Sequence, residues 1–149
     1  VYDALYLSDP MKNVTEYPGL LPVLERLKKE GILLAVLSNK PDDAACAVVR
    51  GLFPAGLFHV YHGQREGIPR KPAPDGALLI AKELGVAPSD CLYVGDSGVD
   101  MDTGRAAGMR TVGVVWGFRG QEELREHGAC LIAQKPEDLL TFAGVGEAK

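Results

Sequence analysis

The chain has 149 residues, about the length of one domain, and 46% of them are hydrophobic while 24% are charged. Its 16 basic and 20 acidic residues give a net charge of −4, which argues against a nucleic-acid partner because such proteins usually carry a basic surplus. No apolar run approaches the roughly 20 residues that cross a bilayer, so we expect no membrane partner. The apolar content also argues against intrinsic disorder.

The three cysteines, Cys46, Cys91 and Cys130, lie far apart and fit neither the spacing of metal ligands nor a disulfide framework. This usage is typical of reduced core thiols and predicts a cytoplasmic protein. Residues 1–6 contain no basic region and no initiator methionine. We therefore expect no signal peptide, and we expect the chain to be a piece of a longer protein.

Amphipathic and apolar segments alternate along the chain. In chain order the pattern predicts helix 20–30, strand 32–37, helix 44–52, strand 58–61, helix 77–84, strand 91–94, strand 111–115, helix 121–126, a short strand 129–132 and helix 136–142. Strands that alternate with helices pair in parallel through right-handed crossovers, so the fold class is α/β with a doubly wound parallel sheet. In such sheets the functional residues follow the carboxyl ends of the strands.

Two carboxylates, Asp96 and Asp100, follow the 91–94 strand in a turn that contains two glycines. Their spacing can place both on one side of the turn, and Mg²⁺ prefers few protein carboxylates together with water and phosphate oxygens. The segment is also compatible with Asp96 or Ser97 as a helix N-cap and Asp100 as a solvated acid of the first turn. Taken alone, the segment leaves both interpretations open.

Two further segments favour an anion site at the same edge. Ser38 ends the 32–37 strand, and its hydroxyl and the backbone N–H of Asn39 can donate to a phosphate oxygen, although Ser38 can equally be a simple cap. Lys71 stands in a loop that two prolines constrain, and its compact charge suits a phosphate, although a surface lysine also fits. Because all these segments follow strands of one parallel sheet, they indicate a combined phosphate and Mg²⁺ site.

Other polar and aromatic side chains suggest no additional site. The histidines, His59, His62 and His127, lack the spacing of metal ligands and are interpreted as core-edge or surface residues. Trp116 and Phe118 follow the 111–115 strand and are interpreted as packing residues.

The arrangement resembles the haloacid dehalogenase superfamily. Its second, third and fourth motifs match Ser38 after an apolar strand, Lys71 in Lys-Pro-Ala-Pro, and Gly95-Asp96-Ser97-x-x-Asp100, in order and spacing. Residues 17–118 resemble the phosphoglycolate phosphatase-like branch. The resemblance implies a Rossmann-like core in which Ser38 and Asn39 bind the phosphoryl group, Lys71 neutralises it, Asp96 ligates Mg²⁺ and Asp100 supports the ion through water.

The same resemblance exposes a gap, because the first motif, Asp-x-Asp-Gly-Thr, does not occur in the chain. That motif holds the nucleophile and the general acid/base. Asp3, Asp9 and the pair Asp42-Asp43 do not match its pattern. Residues 1–17 resemble the end of a helical cap with its linker, and residues 18–149 resemble the core domain. We therefore expect an N-terminally truncated chain that lacks the central nucleophile strand and most of the cap.

A missing central strand would leave two apolar strands with unpaired edges, and each orphaned buried backbone group costs about 1–3 kcal/mol. Either residues 1–7 fill the position, another chain fills it, or the two strands pair with each other. A second chain would give a homodimer or a strand exchange.

The resemblance implies a Mg²⁺-dependent phosphatase that acts on small phosphorylated metabolites through an aspartyl-phosphate, with the isolated chain inactive. The alternative is a non-catalytic binding or interaction module of the same fold, which the gene sequence upstream of Val1 would distinguish. A receiver-like signalling domain is a weaker alternative, because the chain lacks an acidic pair after the first strand and a phosphoacceptor aspartate after the third. The cap normally selects the substrate, so the sequence predicts only small phosphate monoesters as a class.

Overall fold

The computed structural model of the protein describes residues 2–8, 19–115 and 120–145. Within these residues the strands are β1 (Ala4–Ser8), β2 (Leu33–Pro41), β3 (Val60–Gln64), β4 (Cys91–Gly95), β5 (Arg110–Val114) and β6 (Leu131–Ala133). The helices are α1 (Leu20–Lys29), α2 (Asp42–Leu52), α3 (Asp75–Leu84), α4 (Gly98–Ala106), α5 (Gln121–Glu126) and α6 (Asp138–Phe142), with a 3-10 turn at Pro88–Asp90. The strands pair in parallel in the order β3-β2-β1-β4-β5-β6, which confirms the predicted α/β class.

The sheet is covered by apolar layers on both faces. Because successive strand residues point to opposite faces, Leu5 and Leu7 of β1 join one layer while Ala4 and Tyr6 join the other. The first layer includes the apolar side of α1 and side chains of α6, and the second includes the apolar side of α3. Helices therefore lie on both sides of the sheet, which explains why its strands are near-continuous apolar runs.

The centre of the sheet is occupied by β1, a segment near the start of the chain. It pairs with β2 on one side and with β4 on the other, so its backbone groups are satisfied from both edges. Of the three ways of filling the central position, the structure shows the one in which the chain's own first residues do so. Residues 4–8, which the sequence assigned to a cap remnant, thus belong to the sheet. Residues 9–17 of that remnant lie outside the described residues, and the domain division stays a prediction.

The predicted elements are present with shifted ends. The predicted helices begin or end within two residues of the observed ones, and the predicted strand at 58–61 is observed at Val60–Gln64. The strand predicted for 32–37 continues to Pro41, with an irregular register between Leu37 and Pro41. The segment after β4 forms α4, a helix whose bounds the sequence analysis does not predict. Among the described residues, no helix is long and apolar enough to cross a bilayer.

Candidate active site

The carboxyl ends of β1, β2 and β4 lie side by side at one edge of the sheet. Ser8 of β1 is the register partner of Leu37, and Leu7 is the partner of Val94. Ser38 lies in β2 directly after Leu37, and Asp96 directly follows β4, so the two residues flank the end of the central strand. The structure therefore brings the polar residues that follow different strands to one edge, as the parallel topology predicts.

A buried triangle of polar groups lies at this edge. Nζ of Lys71 is 2.9 Å from Oδ1 of Asp100 and 2.5 Å from Oγ of Ser8. The Ser8 hydroxyl donates to the same Oδ1 of Asp100 at 2.6 Å. The Lys71 and Asp100 side chains are each 3% exposed, and Ser8 is equally buried. A buried charge needs a partner and hydrogen bonds, and these three groups provide both for each other.

The second carboxylate oxygen of Asp100 is held by the turn that follows β4. Its Oδ2 accepts from the backbone N–H of Asp96 and from the Ser97 hydroxyl, both at 3.1 Å. Burial by itself raises the pKa of Asp100, but the charge of Lys71 and the hydrogen bonds from Ser8, Lys71 and Ser97 outweigh it, so the pKa lies below its usual value. Asp100 is therefore a buried carboxylate rather than the solvated acid that the sequence also allowed.

Two small residues make this geometry possible. Ser97 is the N-cap of α4, because its side chain accepts from the Asp100 N–H. Gly95 permits the close approach, since a Cβ there would lie 2.3 Å from Cβ and 2.6 Å from Oδ2 of Asp100. In this turn Ser97 is therefore the N-cap, as one interpretation of the sequence predicts, and Asp100 points into the protein.

Ser38 and Lys71 are connected through Asn39. The Asn39 side chain accepts from the Lys71 N–H at 3.0 Å and donates to the Lys71 carbonyl at 3.3 Å. The Ser38 hydroxyl accepts from the backbone N–H of Lys40 at 3.1 Å. Ser38, Asn39 and Lys71 also line one cavity. The Asn39 side chain therefore fixes the Lys71 loop against the end of β2, a role that the sequence did not assign to it.

The donor set at this edge fits a hard cation that takes few protein ligands. Both oxygens of Asp100 already accept hydrogen bonds, which suits it to support a metal through water rather than directly. Asp96, which is 9% exposed, supplies the other carboxylate of the turn. The described residues contain no group of three or more His, Cys, Asp or Glu side chains that could form an all-protein cage. Mg²⁺ accepts such a sparse set, because it keeps several waters and binds substrate phosphate.

Ser8 is the polar residue at this edge that sequence reasoning missed. The signal was present, because Ala4–Ser8 is an apolar run of strand length that ends in a hydroxyl. Asp9 follows it in the chain and lies outside the described residues, as do Trp116 and Phe118.

The histidines lie in contacts with carboxylates or with backbone. His62 Nε2 is 2.9 Å from Glu83, and His127 Nδ1 is 3.0 Å from Asp102. Nδ1 of His59 accepts from the Leu34 N–H.

Comparison with known proteins gives the family. The model of the haloacid dehalogenase-like hydrolases matches residues 5–108. The chain belongs to the haloacid dehalogenase-like hydrolases. This membership agrees with the sheet order and with the resemblance of the three motifs.

Relatives within the family are phosphatases by name. The chain is 30% identical to the phosphoglycolate phosphatase of Escherichia coli (strain K12) over 145 residues, which cover 97% of this chain and 58% of the relative. It is 34% identical over 134 residues to the pyrophosphatase PpaX of Bacillus pumilus, covering 88% of this chain and 61% of that protein. The chain thus spans about three-fifths of the length of these curated relatives.

Solved structures share the fold. A crystal structure assigned to a phosphoglycolate phosphatase from Lactobacillus delbrueckii subsp. bulgaricus is 42% identical, with a TM-score of 0.82 over 88% of this chain and 54% of that one. A structure assigned to a β-phosphoglucomutase from Thermotoga maritima is 29% identical, with a TM-score of 0.75 over 85% of this chain and 59% of that one. The same core therefore occurs in proteins named for different phosphoryl-transfer reactions.

Proposed function

We propose that this chain is the phosphate- and Mg²⁺-binding core of a phosphatase that hydrolyses small phosphate monoesters. The observation that supports it is the buried contact of Lys71 with Asp100 beside the Asp96 turn, at the edge of the sheet where Ser38 lies near the carboxyl end of β2. The names of the relatives point to phosphoglycolate and related small phosphates as the substrate class. The net charge of −4 agrees with a small substrate rather than a nucleic acid, because nucleic-acid-binding proteins usually carry a basic surplus.

In this proposal each residue has a defined electrostatic role. Ser38 and the Asn39 N–H donate to the phosphoryl oxygens, and the Lys71 ammonium neutralises part of their charge. Asp96 would hold Mg²⁺ directly and Asp100 would hold it through water, and the bound ion would supply Lewis-acid stabilisation of the phosphoryl oxygens. Positioned charges of this kind supply most of the catalysis in phosphoryl transfer, because the transition state needs little covalent assistance.

The covalent part of the reaction is a separate proposal. In family members that carry Asp-x-Asp-Gly-Thr, the resemblance implies an aspartyl-phosphate intermediate. That sequence does not occur in these 149 residues. We therefore propose that the 149-residue chain binds phosphate and Mg²⁺ but does not turn over by that route on its own.

A second candidate function is a non-catalytic binding module of the same fold. The observation that favours it is the residue at the end of the central strand. Beside Lys71 and Asp100 this position holds Ser8, which carries a hydroxyl and not a carboxylate. The two proposals differ in one observable. A phosphatase hydrolyses phosphoglycolate when the chain is joined to an Asp-x-Asp-Gly-Thr segment, whereas a binding module does not.

Isothermal titration with MgCl₂ and with inorganic phosphate tests the binding site directly. We expect Asp96→Asn to weaken Mg²⁺ binding by about tenfold or more, because it removes the carboxylate charge that a hard cation needs. Ser38→Ala should weaken phosphate binding and leave the Mg²⁺ affinity of the phosphate-free protein nearly unchanged. Asp90→Asn, an exposed carboxylate of the 3-10 turn, is the matched control. Unchanged Mg²⁺ affinity in Asp96→Asn would show that the metal position is misassigned.

A steady-state assay on phosphoglycolate and p-nitrophenyl phosphate completes the test. The purified 149-residue chain should show no sustained turnover with either ester. Rapid multiple turnover that depends on Mg²⁺ would contradict the inactivity proposed for this chain, while leaving the phosphatase assignment in place.

A further inference from the structure

We propose that Glu123 is a positioning residue of the Mg²⁺ site, which acts through the backbone of the turn that carries Asp96 and Asp100. The inference rests on the proposed function in one respect, because it needs Mg²⁺ at that turn. It goes further by assigning a role to a residue of α5, a helix that the three motifs do not include.

Glu123 holds the first residue of α4 by its backbone. Oε2 of Glu123 accepts from the N–H of Gly98 at 2.8 Å. The first N–H groups of a helix have no partner within the helix, so they need an acceptor from elsewhere. The Gly98 N–H finds this acceptor 25 residues further along the chain, on α5. The contact therefore fixes the position at which α4 starts.

Other N–H groups of the turn bond within the turn itself. The Ser97 hydroxyl accepts from the Asp100 N–H at 3.4 Å, and Oδ2 of Asp100 accepts from the Asp96 N–H at 3.1 Å. These bonds set the internal shape of the turn. The Glu123 carboxylate, in contrast, connects the backbone of the turn to a separate helix.

A second contact from the end of α5 holds the same helix. A Cβ on Gly98 would lie 2.5 Å from Cδ2 of His127, so the imidazole ring packs directly against the Gly98 backbone. Nδ1 of His127 is 3.0 Å from Oδ1 of Asp102, one turn further along α4. The α5 segment therefore contacts the first two turns of α4, through Glu123 and through His127.

The contacts of Glu123 indicate an action through the backbone rather than as a metal ligand. Among the described residues, no group of three or more His, Cys, Asp or Glu side chains could hold a metal, so Glu123 does not complete a cage with Asp96 and Asp100. Only Ser97 separates Gly98 from Asp96, so a shift of the backbone at Gly98 moves the Asp96 carboxylate. Groups that orient metal ligands without touching the ion typically change its affinity by about 10- to 100-fold when they are replaced.

Calorimetric titration of the whole 149-residue chain with MgCl₂ tests the proposal. We expect Glu123→Ala to weaken Mg²⁺ binding by about tenfold, because the Gly98 N–H loses its acceptor. Glu123→Gln keeps a side-chain oxygen that can accept the same bond, so its Mg²⁺ affinity should stay close to that of the unsubstituted protein. Glu122→Ala removes the same charge from the neighbouring, exposed position of α5 and is the matched control. It should leave the Mg²⁺ affinity unchanged, because solvent and salt screen an exposed charge.

Two further measurements separate positioning from a general loosening of the fold. In titrations with inorganic phosphate without Mg²⁺, Glu123→Ala should lose far less affinity than it loses for Mg²⁺, since Ser38 and Lys71 lie on other elements. Amide hydrogen exchange of the unsubstituted protein needs no variant. MgCl₂ should slow exchange of the Gly98 N–H, because ion binding and the Glu123 contact stabilise each other. Exchange that MgCl₂ leaves unchanged would contradict this coupling.

The titrations can also overturn the assignment. Equal Mg²⁺ affinities in Glu123→Ala and Glu122→Ala would overturn it and leave the proposed function intact. A loss in Glu123→Gln as large as in Glu123→Ala would do the same, since the carboxylate charge and not the backbone contact would then act on the ion. Equal losses of Mg²⁺ and phosphate affinity in Glu123→Ala would show a loosened fold instead of a positioning role. Absence of Mg²⁺ binding in the unsubstituted protein would contradict the two proposals together.

Discussion

Lys71 and Asp100 form an ion pair that is almost fully buried, with 2.9 Å between Nζ and Oδ1 and 3% exposure of each side chain. The two residues are 29 positions apart in the chain, and they meet because Asp100 lies in the first turn of α4 and Lys71 in the loop before α3. Their charges neutralise each other inside the protein. The same two side chains therefore belong to the proposed binding site and contribute to the stability of the fold.

The first prediction concerns this pair. Asp100→Asn leaves the Lys71 ammonium buried without its counter-charge and should lower the free energy of unfolding by about 3–5 kcal/mol. Urea denaturation followed by circular dichroism measures the change. The matched control is Asp102→Asn, whose carboxylate pairs with His127 but is 38% exposed, and we expect it to cost about 1 kcal/mol or less. Equal losses in the two variants would show that the buried pair contributes no more to the free energy of unfolding than the exposed pair does.

A double-mutant cycle separates the pair from its surroundings. Lys71→Met combined with Asp100→Leu removes both charges, so we expect a smaller loss of stability than the sum of the two single variants. Strictly additive losses would mean that the two side chains do not interact.

The second prediction concerns Gly95. A methyl group at this position would lie 2.3 Å from Cβ of Asp100, so Gly95→Ala should displace the Asp96 turn and weaken Mg²⁺ binding in a calorimetric titration. We expect a stability loss of about 1–3 kcal/mol. Gly51→Ala is the control, because nothing lies within 4 Å of its Cβ position in α2. It should stabilise the helix by about 0.5–1 kcal/mol, the opposite sign.

The third prediction tests the central place of β1. Leu5 of β1 is fully buried in one of the two apolar layers, so Leu5→Ala should lower the free energy of unfolding by about 2–5 kcal/mol. Leu78→Ala, at an α3 position that is 41% exposed, should change it by less than about 0.5 kcal/mol. Amide hydrogen exchange gives an independent measurement, because the N–H groups of a strand paired on both edges should exchange only upon global unfolding. Rapid exchange of the β1 amides would contradict the strand order.

The fourth prediction concerns the contact between Asn39 and Lys71. Asn39→Ala leaves the Lys71 N–H without its side-chain acceptor, which should cost about 1–3 kcal/mol of stability. It should also weaken binding of inorganic phosphate, because the Asn39 contact holds the backbone of the loop that carries the Lys71 ammonium. Gln134→Ala removes an exposed amide far along the chain and serves as the control. If both variants bind phosphate equally, the Asn39 contact is structural only.

The sequence was sufficient to predict the parallel sheet and to predict which polar residues meet at its edge. Apolar runs separated by amphipathic segments predict the class because each strand of a doubly wound sheet is covered on both faces. The same topology predicts that residues after different strands meet at one edge, and Lys71 and Asp100 do meet. The roles of Ser38, Asn39, Lys71, Asp96 and Asp100 in binding remain predictions.

Other features depended on three-dimensional context. Ala4–Ser8 has the composition of a strand, but its place between β2 and β4 is decided by the burial of backbone groups on both edges. The pairing of Ser8 with Lys71 and Asp100 follows from that placement, and no local pattern indicates it. The side chain of Asn39 likewise acquires its contact only when the Lys71 loop folds back over β2.

The Ser8–Lys71–Asp100 triangle joins parts of the chain that are 63 and 92 residues apart. Such distant segments come together only after large loops have closed, which is slow and entropically costly until most of the native topology exists. A nascent or partly folded chain that has not yet inserted its first strand therefore has no such triangle. Recovery of phosphate affinity during refolding should consequently follow the last kinetic phase rather than the early appearance of helices.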